Sequence, residues 1–275
     1  MAEMTAAEAA ELGMTLNFST GRAALTKLDE RPFDGKKALV VGGTGGIGRF
    51  VSLDLARAGA EITVIGRTKK KLDETINEIN KIEGRPANAR GVLLDLKPEN
   101  AIEDVLSVCE QTDILITAFG PFLRKPLAQT SAADWRRLVT LNLIFPGALV
   151  SGYLDGMMKR RWGRILLFGG TNTAQIRGWT TTAPYAAAKT ALGALAKSVA
   201  KNAASFGVCC NVICPGLTDT EYMDETALLY NRENSPDGCA LRPEEIAAFA
   251  IEILRNPNLN GAILPIDKGV EVHVV

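Results

Sequence analysis

Short apolar runs alternate with longer amphipathic segments from residue 37 onward. Near-continuous apolar runs are typical of strands whose two faces are both covered by helices, as in a parallel sheet. The charged segment at 69–84 has the spacing of a surface helix. The pattern predicts one doubly wound α/β domain, with about six helices on both faces of a seven-stranded parallel sheet. We expect its strands at 37–43, 61–67, 89–96, 113–120, 163–170, 208–216 and 261–267.

Residues 1–34 precede the first predicted strand and are interpreted as an N-terminal extension, with the main domain at 35–275. The sequence TAAE at 5–8 fits a helix capping box, which predicts a short helix there. Two alternatives stay open for the extension. It is either a partly ordered tail or a segment that packs against another subunit.

Composition excludes several classes of function. The chain has 31 basic and 31 acidic residues, so its formal net charge gives no electrostatic footprint for nucleic acid or an anionic membrane. The longest apolar stretch, at 138–150, is too short to span a bilayer and contains Asn142 and Pro146. The N-terminus has neither a basic region followed by an apolar block nor the composition of a transit peptide, so the expected location is cytoplasmic.

Histidine and cysteine supply little of the chemistry. The five cysteines form no C-x-x-C pair, and the one histidine is His273. A metal site or a Cys–His nucleophile pair would need more of these residues. We therefore predict no metal and a mechanism that works without histidine.

A glycine-rich turn follows the first predicted strand of the sheet. Gly42, Gly46 and Gly48 have the spacing G-x-x-x-G-x-G and lead into a helical segment. Glycines there permit a tight turn and a close backbone approach to phosphate, which meets the free N–H groups at the helix start. At this point of a doubly wound sheet the turn predicts a Rossmann dinucleotide site.

The end of the second predicted strand indicates which dinucleotide the site binds. An NAD site usually has Asp or Glu at this point to bind the ribose 2′-hydroxyl, whereas this strand closes on Gly66, Arg67 and Thr68. A guanidinium suits a 2′-phosphate, so we favour NADP (NADPH) over NAD. The alternative, a solvated basic helix start, fits Lys69–Lys71 better than Arg67.

Tyr185 and Lys189 are four residues apart in an alanine-rich helical run and therefore share one helix face. A phenol keeps its proton to about pH 10, and a nearby ammonium together with the positive nicotinamide of an oxidised cofactor lowers that pKa by stabilising the phenolate. Such a tyrosine can donate a proton to a carbonyl oxygen or remove one from an alcohol. Alone, the pair would be an ordinary buried tyrosine with an exposed lysine; beside a cofactor turn we interpret it as catalytic.

With these motifs and Asn142, the chain resembles the short-chain dehydrogenase/reductase family over roughly residues 35–270. It is similar to the short single-domain form, including 3-oxoacyl-carrier-protein reductases and hydroxysteroid dehydrogenases. The resemblance implies hydride transfer between NADP(H) and a carbonyl or secondary alcohol, with Tyr185 as general acid/base, in a homodimer or homotetramer. It also implies that Lys189 holds the nicotinamide ribose and that Asn142 keeps a proton-relaying water. The implied cofactor-binding residues are Gly42, Thr44, Gly45, Gly46, Ile47, Gly48, Arg67, Thr68, Asp95, Leu96, Ala118, Gly120, Tyr185, Lys189, Pro215, Gly216, Thr218 and Thr220.

The chain departs from the family pattern in three places. Val41 stands where a threonine precedes the first glycine, and Phe119 lies within TAFG at 117–120, where a small residue is usual. The position of the catalytic serine falls on Gly170 when counted forward from the strand and on Asn172 when counted back from Tyr185. We hypothesise that Thr171, Asn172 or Thr173 supplies the missing hydrogen bond.

The segments that close the pocket in this family are rich in apolar residues here, including a substrate lid at about 217–238. We therefore expect a largely apolar carbonyl or alcohol substrate. Arg124 and Arg177 either meet an acidic group of the substrate or are solvated. Because the serine is missing, a non-catalytic NADP-binding sensor or regulatory subunit remains the alternative. The apolar residues are Phe119, Phe122, Trp179, Leu217, Tyr222, Met223, Leu228, Leu229 and Tyr230.

Overall fold

The computed structural model describes residues 14–17, 24–27, 31–82, 89–97 and 99–270. Internal contacts divide the chain into two units, Met1–Pro32 and Phe33–Val275. In the first unit, strands β1 (Met14–Asn17) and β2 (Ala24–Lys27) form an antiparallel pair, with Met14 opposite Lys27. The capping box predicted at 5–8 lies outside the described residues.

The second unit is built on a seven-stranded parallel sheet, as predicted. Its spatial order is β5-β4-β3-β6-β7-β8-β9, so the strand order reverses between β3 and β6. In open α/β sheets ligands bind in the crevice at such a reversal, beyond the carboxyl ends of the strands. The strands are β3 (Lys37–Val41), β4 (Glu61–Gly66), β5 (Arg90–Leu93), β6 (Ile114–Thr117), β7 (Gly163–Phe168), β8 (Val208–Pro215) and β9 (Ile263–Ile266).

The described residues form eight α-helices, more than the six expected, and two features explain the difference. A turn of π-helix at Thr140–Ile144 divides one long helical run, and a short helix at Glu225–Glu233 lies in the segment predicted as a substrate lid. The helices are α1 (Gly46–Arg57), α2 (Lys69–Asn80), α3 (Ala101–Val108), α4 (Ala132–Val139), α5 (Phe145–Lys159), α6 (Ala183–Ala203), α7 (Glu225–Glu233) and α8 (Pro243–Arg255).

Alternate side chains of the strands fill two apolar layers, one on each face of the sheet. In β3, Val40 belongs to the layer beneath α1 and α8, whereas Leu39 and Val41 face α3, α5 and α6. All six residues of β7 and all eight of β8 are buried. Helices on both faces bury the central strands completely, which accounts for their mostly apolar sequence, with Arg164 and Asn211 as buried polar exceptions.

The helical run at 132–159 is long and apolar enough, by length and composition alone, to cross a membrane. Its apolar residues form part of the core, because Phe145, Leu149 and Met157 are buried in the layer against the sheet. Core helices of globular domains satisfy the same length and composition test, and we interpret this run as one of them.

Candidate active site

The glycine turn between β3 and α1 has the close backbone packing that the sequence predicts. Gly42 has a φ of 81°, and a Cβ there would lie 2.6 Å from the carbonyl oxygen of Ala118. A Cβ on Gly48 would lie 2.3 Å from the carbonyl oxygen of Gly42. Since real Cβ atoms do not approach other atoms so closely, only glycine permits this contact between strand and helix.

The backbone N–H of Gly46, at the start of α1, points at an anion supplied by the protein itself. Both carboxylate oxygens of Glu221 accept this N–H, at 3.1 and 3.0 Å. Gly46 has a φ of 48°, which only glycine adopts readily. The turn is therefore an anion-binding cradle, and its donor chemistry fits the diphosphate of a dinucleotide.

Tyr185 and Lys189 lie in the first turns of α6, which begins at Ala183 with Pro184 in its first turn. The ammonium nitrogen of Lys189 lies 5.8 Å from the centre of the Tyr185 ring and donates to the carbonyl oxygen of Phe168 at 2.7 Å. The Phe122 ring packs edge-on against Tyr185 at 5.1 Å between centroids. Strand β7 thus holds the lysine and the loop after β6 holds the tyrosine.

Burial shifts both groups toward their neutral forms. Desolvation, with a smaller contribution from Cys214, raises the pKa of Tyr185 to about 12. Desolvation also lowers the pKa of Lys189 to about 8, against a weaker opposite effect of Cys214. The lowered tyrosine pKa expected from the sequence is therefore not produced by the protein's own groups. A desolvated phenol without a close counter-charge keeps its proton.

Asn142 is buried within the turn of π-helix between α4 and α5. Its amide nitrogen donates to the carbonyl oxygens of Pro121 and Leu138, at 2.9 and 3.0 Å. Its Oδ1 is buried and has no hydrogen-bond partner among the described residues. A Cβ on Gly120 would lie 2.0 Å from that oxygen and 3.3 Å from the Lys189 nitrogen. The free acceptor therefore faces the lysine side of the site, where a relaying water would need a partner.

The turn after β7 brings Gly170 directly against the hydroxyl of Tyr185. A Cβ on Gly170 would lie 2.6 Å from that hydroxyl oxygen. Of the two positions counted for the family serine, Gly170, which was counted forward from the strand, is therefore the one that contacts Tyr185. Thr173 is buried and holds the turn closed, because its hydroxyl accepts the Gly170 N–H and donates to the Gly170 carbonyl, both at 2.8 Å.

Thr171 and Asn172, the other two candidate replacements for the family serine, differ in position. Thr171 lines the same cavity as Tyr185, and its hydroxyl donates to the Pro215 carbonyl oxygen at 3.1 Å. Asn172 has a φ of 61°, and its Oδ1 is buried without a partner among the described residues. Of the three, only Thr171 lines the cavity described next.

A cavity of about 360 Å³ connects the glycine turn to Tyr185 and Lys189. It brings together residues from the ends of β3, β6, β7 and β8, which agrees with a site at the reversal of strand order. The predicted residues that line it are Gly45, Gly46, Ile47, Gly48, Ala118, Gly120, Thr171, Tyr185, Lys189, Pro215, Gly216, Thr218 and Thr220. Phe119, Leu217, Tyr222 and Met223 line it as well.

The remaining predicted residues lie outside this cavity. Thr44 lines a neighbouring cavity of about 410 Å³ on the other side of the glycine turn. Arg67 and Thr68 are exposed between β4 and α2. Asp95 is exposed, with its carboxylate 3.7 Å from the Lys97 ammonium, and Leu96 is buried. Gly42, Asn142 and Asn172 support the walls rather than line them.

Two residues of the site gave no signal in the sequence. Glu221 meets the glycine turn only through the fold, from a position 175 residues away. Asn231 of α7 is buried, and its amide donates to the side chain of Asp219 at 3.1 Å and to the carbonyl of Thr218 at 3.4 Å. Asn231 thereby ties helix α7 to the loop after β8. Lone polar residues in such a segment have no spacing pattern that would have identified them.

Comparison with known proteins agrees with this fold. The family model of short chain dehydrogenase matches residues 36–228. A 3-oxoacyl-[acyl-carrier-protein] reductase of Aquifex aeolicus is 31% identical over 79% of this chain and 89% of its own length. An uncharacterized oxidoreductase of Bacillus subtilis is 29% identical over 86% of this chain and 96% of its own.

A solved structure of a 3-oxoacyl (acyl-carrier-protein) reductase from Agrobacterium tumefaciens, with NADP bound, is 25% identical and has a TM-score of 0.80. It covers 92% of this chain, and this chain covers 99% of it. The chain belongs to the short-chain dehydrogenase/reductase family, a class of nicotinamide-dependent oxidoreductases. The resemblance inferred from the glycine turn and the Tyr185–Lys189 pair is confirmed.

Proposed function

We propose that this protein is an NADP(H)-dependent reductase of a largely apolar ketone or, in reverse, a dehydrogenase of the corresponding secondary alcohol. One observation carries the proposal. Tyr185 and Lys189 line the same cavity as the N–H groups of the glycine turn, so a proton donor and a dinucleotide cradle open into one space.

The dinucleotide, when bound, would supply the hydride. The turn residues Gly45, Gly46 and Ile47 would hold its diphosphate. Tyr185 would donate its hydroxyl proton to the substrate oxygen as the carbonyl is reduced. A pKa of about 12 keeps this phenol protonated at neutral pH, which suits a proton donor.

Lys189 and Asn142 would return the proton to Tyr185. The lysine, with a pKa of about 8, exchanges protons readily near neutral pH, and its nitrogen is fixed by the Phe168 carbonyl. The unpartnered Oδ1 of Asn142 is a ready acceptor for a water beside it. Thr171, the hydroxyl in the cavity wall, would orient the substrate oxygen in place of the family serine.

The end of β4 supports the preference for NADP. A Cβ on Gly66 would lie 2.3 Å from Cγ2 of Thr44, so packing leaves no room for the acidic side chain typical of NAD sites. The next residue, Arg67, is exposed and free to reach a 2′-phosphate. Exposed Asp95 and buried Leu96 after β5 would border the adenine.

The mouth of the site supports an apolar substrate. Tyr222 and Met223 line the cavity, Phe122 packs against Tyr185, and all three are large and exposed. Exposed apolar residues gathered around a cleft typically mark a binding surface. Two relatives are named as 3-oxoacyl-carrier-protein reductases, and an acyl chain has this apolar character.

The deciding experiment measures NADPH oxidation with cyclic ketones and 3-oxoacyl thioesters. Wild-type turnover is expected, with a loss of at least a hundredfold in Tyr185→Phe and unchanged NADPH affinity. The phenylalanine keeps the ring packed against Phe122 and removes only the hydroxyl. Full activity in Tyr185→Phe would refute the assigned role.

The alternative of a non-catalytic NADP-binding sensor rests on Gly170, which offers no hydroxyl next to Tyr185. Tight NADPH binding without turnover on the whole substrate panel would favour it. Thr171→Ala distinguishes the two further. A tenfold or larger fall in turnover is expected if Thr171 orients the substrate.

We further propose that residues 35–275 are the catalytic domain, that the protein is cytoplasmic, and that it forms a homodimer or homotetramer. The family resemblance implies that helices α4–α5 and α6 would form the contact between subunits. Light scattering of the purified protein gives the oligomeric state directly.

A further inference from the structure

The loop after β8 places a carboxylate on the phosphate cradle. Glu221 accepts the Gly46 N–H through both of its oxygens, at 3.1 and 3.0 Å. This N–H belongs to the group of donors that the start of a helix offers to a phosphate. A carboxylate and a phosphate cannot both accept it, and their like charges repel each other at this distance.

Two neighbours hold Glu221 in this position. The ammonium nitrogen of Lys71, in α2, lies 3.3 Å from its carboxylate and 4.3 Å from the ring centre of Tyr222. The hydroxyl of Tyr222 lies over Gly45, where a Cβ would come within 1.8 Å of it. Glu221 and Tyr222 together therefore cover the turn from Gly45 to Gly46.

Glu221 is ionised at neutral pH in this arrangement. Partial burial acts against the charge, but the hydrogen bond from Gly46 and the ammonium of Lys71 outweigh it and lower the pKa of the carboxyl group. The contact is thus a charge-assisted hydrogen bond supported by an ion pair. About 45% of the Glu221 side chain is still exposed, so the contact is weak enough to open.

We propose that Glu221 is an internal competitor for the cofactor phosphate, and that it sets the affinity of the protein for the dinucleotide. Binding requires the segment 220–222 to withdraw, which frees the Gly46 N–H and passes Lys71 from the carboxylate to the phosphate. This inference rests on dinucleotide binding at the glycine turn, as in the proposed function. The apparent dissociation constant is then the intrinsic one divided by the fraction of molecules in which Glu221 leaves the turn uncovered.

The test compares NADPH dissociation constants, measured by ligand fluorescence, for the wild type, Glu221→Ala and Glu221→Gln. Glu221→Ala is expected to bind NADPH about fivefold more tightly, because a half-exposed charge-assisted contact no longer competes. Glu221→Gln keeps the side-chain shape and should give a smaller gain in the same direction. ADP carries the diphosphate without the nicotinamide, so its affinity should rise by a similar factor.

Glu244→Gln is the matched control. Glu244 is exposed and lines the same cavity as Glu221. The substitution Glu244→Gln therefore removes an equal charge nearby and leaves the hydrogen bond between Glu221 and Gly46 in place. Its NADPH affinity should equal that of the wild type. An equal gain in Glu244→Gln would overturn the proposal in favour of a general charge effect.

Two other results also overturn it. If the wild type binds NADPH and Glu221→Ala binds it equally or more weakly, Glu221 does not compete and the proposed function is untouched. If neither the wild type nor any variant binds NADPH or NADH, the proposed function fails and this inference fails with it. Binding that appears only in the Glu221 variants would support the inference in its strongest form.

Discussion

Gly170 is the position where the structure makes its sharpest prediction. In Gly170→Ala the added Cβ would lie 2.6 Å from the Tyr185 hydroxyl oxygen, 3.0 Å from Cε1 and 3.2 Å from Cζ. Ordinary contacts between such atoms are about 3.5 Å, so the hydroxyl must move by about 1 Å. The edge-on contact with Phe122 limits the movement of the Tyr185 ring on one side.

Overpacking of this kind typically costs about 1–3 kcal/mol. For a chain of this size, about 2 kcal/mol corresponds to a fall in melting temperature of about 4–8 °C. Misplacing a catalytic group by about 1 Å lowers turnover about a hundredfold. Gly170→Ser carries the same Cβ, so we expect a similar loss even though it restores the family's hydroxyl.

The assay combines thermal unfolding with NADPH oxidation on the substrate that the panel identifies. Gly178→Ala is the matched control, because a Cβ on Gly178 meets nothing within 4 Å. Wild-type stability and turnover in Gly170→Ala would refute the placement of Tyr185 against this turn. The stability measurement needs no substrate and therefore tests the geometry independently of the reaction.

Three further predictions follow from other contacts. Lys189 has a folded pKa of about 8 against 10.5 in the unfolded chain, so the unfolded state binds more protons between these values. Between pH 8 and 10.5, the free energy of urea unfolding of the wild type should therefore rise relative to that of Lys189→Met by up to about 1.4 kcal/mol per pH unit. A difference that does not change with pH would contradict the shift. Asn231→Ala removes the hydrogen bonds to Thr218 and Asp219 and should lower stability by about 1–2 kcal/mol, with faster proteolysis of the lid; unchanged proteolysis would argue against the tether. Arg67→Ala should weaken NADPH binding about tenfold and leave NADH binding unchanged, whereas equal effects on both would remove the 2′-phosphate assignment.

The sheet was predictable because its signal is local. Strands buried on both faces, such as β7 and β8, are apolar at nearly every position, and this pattern survives without knowledge of any neighbour. The glycine spacing at Gly42, Gly46 and Gly48 and the Tyr185–Lys189 interval are local for the same reason. Each reflects the geometry of one turn or one helix, so the sequence alone determined the family.

Only the tertiary structure decided which groups meet across the site. Gly170 lies against Tyr185 of the next helix, and Glu221 covers Gly46 from a position 175 residues away. The raised pKa of Tyr185 likewise comes from desolvation by the surrounding elements, which the spacing of Tyr185 and Lys189 does not encode. Contacts between distant segments and the desolvation of a side chain depend on how the elements pack, and no spacing within one segment encodes them.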